Sequence, residues 1–488
     1  MSASSVPRPW WCRPGPALAL LLHALLFLGI FQLHFRDGEW RRIANSIPSG
    51  ARIGAGVEAI VRERGPLGLV IWFFDMHGEI RLYHRYASVA LYGIDPRWPA
   101  DAPDQGRLRL YHDIPVEYQP GALLVLLPPS LLGRDFDAYR TGFVAWCGVL
   151  YLSTLLLGLH LLADGRPITT AQANRALWGS VAFLLCFGGL AGARFDHVVP
   201  LFCVAGGILF QRAMRTDRLV WFIGFGALAA AGALVKIVPV VLVPAALLWL
   251  IAAAPRPPWR AAGAVVAGFG VTLLALHFAF YTIWGDGYLR SFTYHMERGI
   301  QIESVYAGVI MAGHGLGQPM SVAESHAAYN LETPYAGLVK PLQGLLFLAV
   351  AGAIAGRFLA RRRFVQPAAR DLAVLLLSAV FLLAFVATNK VFSPQYLLWL
   401  GPLLALAYGF QPRLAPGVVA LLVISLLTQA IFPRFYKQLR ELQPALIVLL
   451  NLRNVILIAL LAWLGWTLAR QLREESDPSK VASRMARA

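Results

Sequence analysis

Four carboxylates stand close together early in the chain: Asp75, Glu79, Asp113 and Glu117. Tyr83, Arg85 and Tyr118 share their stretches, and apolar sequence follows Glu117 almost at once. Carboxylates, aromatics and arginine beside an apolar run suggest a site at the lip of a helix bundle. Asp75 and Glu79 are four apart, so a helix continued through both would put them on one face. Cations come later. Arg194-Phe-Asp196 precedes Pro200, and Lys236-Ile-Val-Pro239 sets a lysine inside an otherwise unbroken apolar run. An ionisable residue there costs roughly 2.5–3.5 kcal/mol on insertion scales and is by default a functional candidate. The plainer readings are a lysine snorkelling from a helix end and a structural Arg194–Asp196 pair. His295 and Arg298 are three apart, so on a helix they face one way, which suits a phosphate-binding pair. Gln301 follows them. Lys390-Val-Phe-Ser393-Pro394-Gln395-Tyr396 precedes another apolar run. Pro394 there fixes a helix start, with Lys390 and Gln395 facing the same site.

The frame that must position these residues is apolar. Of 488 residues, 58% are hydrophobic and only 14% charged, against about 25% charged in a soluble protein. Mean hydropathy is +0.59. The net charge of +17 invites a nucleic-acid partner, but the basic residues sit mostly in short connectors and in the C-terminal tail. That pattern records membrane orientation, and no nucleic-acid-binding module is present. Cys12, Cys147, Cys186 and Cys203 lack metal-ligand spacing and read as small core residues, with no disulfide framework.

The expected fold is all-α: a polytopic transmembrane bundle of about twelve spans. The first runs from about 17 to 33, uncleaved and with its N-terminus inside, because His34-Phe-Arg-Asp is no small-residue cleavage site. The others lie near 138–162, 174–191, 196–211, 219–235, 237–252, 261–282, 341–357, 371–388, 396–410, 414–431 and 446–468. Alternating from an inside N-terminus puts Arg166, Arg212, Arg215, Arg218, Arg260, Arg361–Arg363 and Arg413 in inside connectors, as the positive-inside rule asks. Residues 1–470 form one domain and 471–488 a cytoplasmic tail. The polar stretches gather on the outer face, chiefly in the loops 35–137 and 283–340. Within the first loop, Pro66 to Phe74 is too short to span and reads as a helix lying on the membrane surface. Ile94 to Gly106 reads as loop from its Pro and Gly content.

From Glu79 to Tyr396 the chain resembles glycosyltransferase family 87, polyprenol-phosphate-sugar-dependent transferases of the GT-C superfamily. The resemblance is carried by Glu79 four positions before Tyr83, by Glu117-Tyr118-Gln119-Pro120, by Lys236-x-x-Pro239, by Arg298-Gly-Ile-Gln-Ile-Glu-Ser304 and by Lys390-x-x-Ser-Pro-Gln-Tyr396. Two positions depart from the family: Glu79 stands where Asp is usual, and Gln119 where the family has Pro. The resemblance implies an enzyme that moves a mannose- or arabinose-like sugar from a polyprenyl phosphate to an extracytoplasmic glycolipid or glycan, with inversion. Glu79, with the family's spacing to Tyr83, is the expected general base, and Asp75 on the same face is the next candidate; the residues expected to bind the substrate or the donor phosphate are Tyr83, Arg85, Glu117, Tyr118, Arg194, Asp196, Lys236, His295, Arg298, Gln301, Lys390 and Gln395. No metal or cofactor is expected, although some members of the superfamily use a divalent ion. The implied setting is the inner (cytoplasmic) membrane, with the active face outside and membrane lipids around it. A flippase or transporter of lipid-linked sugars is the alternative class. Transporters tend to carry internal repeats and charges half-way through spans, whereas here charge clusters at one face.

Overall fold

The computed structural model describes residues 9–34, 55–97, 107–253, 258–360 and 370–474. Parts of the first outer loop, Arg361–Arg363 and the tail beyond Glu474 lie outside the described residues.

The chain is built from helices. The first half holds α1 (Pro14–Leu28), α2 (Ala55–Phe74), α3 (Ile80–Tyr92), α4 (Phe136–Ala163), α5 (Thr170–Phe187), α6 (Val198–Thr216), α7 (Leu219–Val235) and α8 (Leu242–Ala253). The second half holds α9 (Trp259–Trp284), α10 (Arg290–Glu297), α11 (Val305–Ala312), α12 (Ala336–Leu359) and α13 (Arg370–Thr388). It closes with α14 (Gly401–Phe410), α15 (Ala415–Gln429), α16 (Tyr436–Arg440) and α17 (Pro444–Glu474). Among the described residues, seven helices are long and apolar enough to cross a membrane, and shorter apolar helices lie at 120–131, 219–235, 238–252 and 374–388. On α9 and α12, Leu274, Phe278, Leu345 and Leu348 are each about two-thirds exposed. A patch of that kind belongs against lipid. The chain is therefore a helical membrane protein.

Local chemistry starts and stops these helices. Asp135 caps α4 by accepting from Ala138 N at 2.9 Å, and Thr169 with Gln172 forms a capping box on α5. Gly93 ends α3 at φ 71°, a left-handed conformation glycine adopts without steric cost. The interior is packed by Phe143, Phe183, Phe187, Trp249 and Trp399, all fully buried. Helices α7 and α9 cross closely, and a Cβ on Gly226 would come within 2.1 Å of Val265 O, so only glycine fits.

Two elements depart from the sequence reading. Helix α2 extends Pro66–Phe74 backwards to Ala55 across a break at Gly65 (φ 61°). Its apolar end meets protein: Trp72 packs on Phe435 and Phe74 on Phe31. Inside the loop 283–340 lies a small antiparallel sheet of β1 (Ile300–Gln301), β2 (Ser321–Ser325) and β3 (Ala328–Glu332), in the order β1-β3-β2. The β2–β3 turn is His326-Ala327, with φ of 53° and 50°. Two left-handed residues make the turn that suits hairpin twist, but it is normally built with Asn and Gly. The sequence therefore gave no signal for it.

Candidate functional site

Helix α2 stops at Phe74, and a separate 3-10 turn, His77–Glu79, leads into α3. The single helix expected through Asp75 and Glu79 is thus interrupted, and the two carboxylates part. Asp75 does not line the cavity described below. Glu79 does, and its Oε2 lies 2.8 Å from Arg194 Nη2. Arg194 also donates to the Tyr83 hydroxyl at 3.3 Å. Tyr83 is fully buried and stacked on Phe143, so it supports Arg194 from behind. Arg85 points elsewhere: its Nε lies 2.9 Å from Asp95, which Arg97 holds from the other side at 2.8 Å. Burial opposes the Asp95 charge, but hydrogen bonds from Arg97 and Arg85 outweigh it and hold the carboxyl below its ordinary range. Arg85 therefore anchors the end of α3 and is no part of the cavity wall.

Glu117 and Tyr118 are carried by the turn before Pro120–Ala122. That turn sits against the end of α7, where a Cβ on Gly121 would fall 2.4 Å from Leu234 O. Close approach here brings Tyr118 beside Lys236, the residue that ends α7. Lys236 Nζ donates to Asp196 Oδ1 at 2.6 Å, and Trp399 Nε1 donates to the same oxygen at 2.8 Å. The ammonium also lies 4.8 Å from the Phe195 ring centre, within cation–π range. The expected Arg194–Asp196 pair is not formed. Arg194 is extended (φ −132°, ψ 132°) and Asp196 sits in the 3-10 turn Phe195–His197, so their side chains diverge. One reaches Glu79 and the other Lys236. Asp196 is fully buried beneath the wall that Lys236 forms.

The later loop supplies the remaining wall. Helix α10 ends at Glu297, and Arg298 follows in a non-helical conformation (φ −49°, ψ 140°). His295 and Arg298 both line the cavity all the same. Lys390 does not. It is 4% exposed, its Nζ donates to Met296 O at 2.9 Å and its carbonyl accepts from Gln301 N at 3.0 Å. Lys390 ties the loop in place from outside the wall, because the backbone around it is pinned to Gln301 and, through its own N, to Gln343 Oε1 at 3.0 Å. Gln395 follows Pro394 at the head of a 3-10 turn, Pro394–Trp399, and reaches the cavity.

Together these residues enclose a cavity of about 280 Å³. Of the residues singled out in the sequence, Glu79, Glu117, Tyr118, Arg194, Lys236, His295, Arg298, Gln301 and Gln395 line it. Tyr83 and Asp196 stand behind it, while Asp75, Arg85 and Lys390 do not reach it. The sequence reading missed Glu303, Tyr436 and the hairpin residues Glu324 and Tyr329, which also line it. Glu303 lay within a noted motif; nothing local marked the other three. Glu303 Oε2 accepts from Gln301 Nε2 at 2.8 Å and from Tyr436 OH at 3.0 Å. Arg453 donates to the Glu303 carbonyl and stacks 3.6 Å over Phe392. Burial pushes the Glu303 carboxyl up to about 7, against the opposing pull of Arg453, Tyr436, Gln301 and Arg298. Among the described residues, no group of three or more His, Cys, Asp or Glu gathers to hold a metal ion.

The arrangement combines cations that can neutralise an anionic group with carboxylates that can take a proton, beside apolar helices. Comparison with known protein families, curated proteins and solved structures gives no match.

Proposed function

We propose that the protein is a membrane glycosyltransferase that moves a sugar, mannose- or arabinose-like, from a polyprenyl phosphate to a glycolipid or glycan acceptor. The observation that carries this reading is the cavity itself. Lys236, His295, Arg298 and Arg194 share one space with Glu79 and Glu117, beside helices fit to lie in lipid. A polyprenyl chain would stay in the membrane while its phosphate and sugar occupy that space. Five stretches that resemble family 87 converge on it.

In the proposed reaction the acceptor hydroxyl oxygen attacks the anomeric carbon. Its proton passes to Glu79, and the bond from that carbon to the phosphate oxygen breaks. The leaving phosphate takes the electron pair, and the cations stabilise its charge. Glu79 suits the base because Arg194 holds one of its oxygens and so fixes the carboxylate's direction. Inversion follows from a single displacement. The cavity gathers loops and helix ends and avoids the mid-span region, which favours chemistry over transport.

The arginine distribution supports one orientation. Helix α6 begins near Arg194 and ends at Arg212 and Arg215; α7 begins after Arg218 and ends at Lys236. Cavity and basic connectors thus lie at opposite helix ends, which supports an extracytoplasmic cavity in the inner membrane. A tag after Thr333 should be reachable from outside and a C-terminal tag only from inside; the reverse sinks this orientation. The activity is tested by giving membranes that contain the protein, and with them its glycolipid or glycan acceptors, labelled polyprenyl-phosphate sugars. Consumption of one donor is expected, and consumption of none removes the reading.

A further inference from the structure

Residues that line the cavity carry buried polar atoms without a hydrogen-bond partner. Glu303 is 2% exposed, Gln301 4% and Gln395 7%. Each lines the cavity, and each has one buried side-chain oxygen, Oε1, without a hydrogen-bond partner. For Gln301 the amide orientation follows from its own bond, since Nε2 donates to Glu303 Oε2. Buried acceptors left open in this way are uncommon. Orphan donors share the space: Arg298 Nε and Arg194 Nε are also buried without partners. Cations account for an anion but leave three open acceptors unexplained. A ligand that presents several hydroxyl groups fits both kinds of atom, because each hydroxyl donates once and accepts as well.

We propose that Glu303, with Gln301 and Gln395 beside it, accepts hydroxyl hydrogens from a single sugar ring and so selects the glycosyl group, while the cations take the phosphate. This rests on the glycosyl-transfer reading above. The volume of about 280 Å³ falls just below the usual span of ligand cavities, about 300–1,000 Å³, which suits one ring and its phosphate better than an oligosaccharide. The ring belongs either to the donor or to the acceptor's terminal sugar, and the two make the same contacts. Glu303 is a specificity residue on this account. Its Oε2 is held by Gln301 and Tyr436, which leaves Oε1 without a partner.

The test uses the full chain in lipid nanodiscs. The probes are a polyprenyl phosphate, the same lipid carrying a hexosyl group, and a hexosyl acceptor lipid. The variants are Glu303→Gln and Gln395→Met, which alter different elements. Each variant should weaken binding of the hexosylated donor about tenfold or more, the effect of one hydrogen bond to a charged or buried polar group. The bare polyprenyl phosphate should bind as before, which shows that the variants fold. Loss confined to the KM for the acceptor, with donor binding intact, assigns the ring to the acceptor. Unchanged donor binding and unchanged acceptor KM overturn the proposal. Equal weakening of the bare and hexosylated lipids also overturns it, because the residues are then structural. A wild-type protein that prefers the hexosylated donor, loses that preference in the variants and yet makes no product would refute glycosyl transfer and leave the sugar wall standing.

Discussion

The two sides of the cavity settle their charges differently. On the side built from the first half of the chain, each cation has a carboxylate: Arg194 with Glu79 at 2.8 Å and Lys236 with Asp196 at 2.6 Å. On the side built from the second half, Arg298 has no carboxylate partner within ion-pair distance among the described residues, and Glu303, Gln301 and Gln395 keep open oxygens. The paired side is closed from behind by Tyr83 and Trp399. The open side is a loop, a hairpin and a short helix, held by backbone ties such as Gln301 N to Lys390 O at 3.0 Å. A charge that is paired internally builds shape. A polar atom left unpaired in a buried wall stores capacity for a ligand, since leaving it unmatched costs about 1–3 kcal/mol. On the proposed reading, the paired side fixes the reacting geometry and the open side does the recognising.

The largest expected effect tests the paired side's chemistry. Glu79→Gln should lower donor turnover by about 10²–10⁴-fold, the usual worth of a general base, with expression intact. Glu79→Asp should keep part of the rate, and Asp75→Asn should stay near wild type because Asp75 is off the cavity wall. A dead Asp75→Asn with an active Glu79→Gln would reverse the assignment.

Breaking the buried pair should damage stability first. Asp196→Leu leaves the Lys236 ammonium unpaired, and orphaning one member of a buried pair costs about 3–5 kcal/mol. The thermal midpoint in detergent should fall sharply. Adding Lys236→Met should restore most of that midpoint without restoring turnover. If the double variant regains turnover, Lys236 has no part in binding the donor.

Arg298→Ala should do the opposite. With no partner to orphan, it should keep its thermal midpoint and lose donor phosphate affinity by roughly ten- to a hundredfold. Lys390→Ala should show the paired behaviour, a lower midpoint with donor affinity retained once folded, because its ammonium is spent on Met296 O. Similar profiles for the two would erase the contrast between the sides.

The smallest effect is in pH. The Glu303 carboxyl, pushed up to about 7 by burial, is protonated below that pH and ionised above it. As a carboxylate it accepts more strongly, so affinity for the hexosylated donor should rise severalfold from pH 6 to 8. The groups facing it are Gln301, Tyr436, Arg453 and Arg298. The Tyr436 phenol is itself pushed well above its ordinary value by burial, so it stays neutral across this window. The slope must therefore vanish in Glu303→Gln. A slope that survives there belongs to another group.

Much of this protein is legible one residue at a time. Apolar runs too long and too poor in charge for a soluble domain determine a helical membrane protein, because a backbone in lipid must satisfy its own hydrogen bonds. Polar motifs interrupting those runs also mark most of the cavity, since a charge beside a span must have a reason to be there. Partnership is what the sequence could not decide. Arg194 and Asp196 are two residues apart and look like a pair, yet an extended residue followed by a 3-10 turn sends them to Glu79 and Lys236. Lys390 looks like a free cation, yet the backbone ties around it turn its ammonium onto Met296 O. Glu303 meets Tyr436 and Arg453 from more than a hundred residues away, and the His326-Ala327 turn carries no hairpin residues. Which residues bear charge is written locally. Which charges cancel depends on backbone direction at a few positions and on contacts between distant segments, and only the folded chain supplies those.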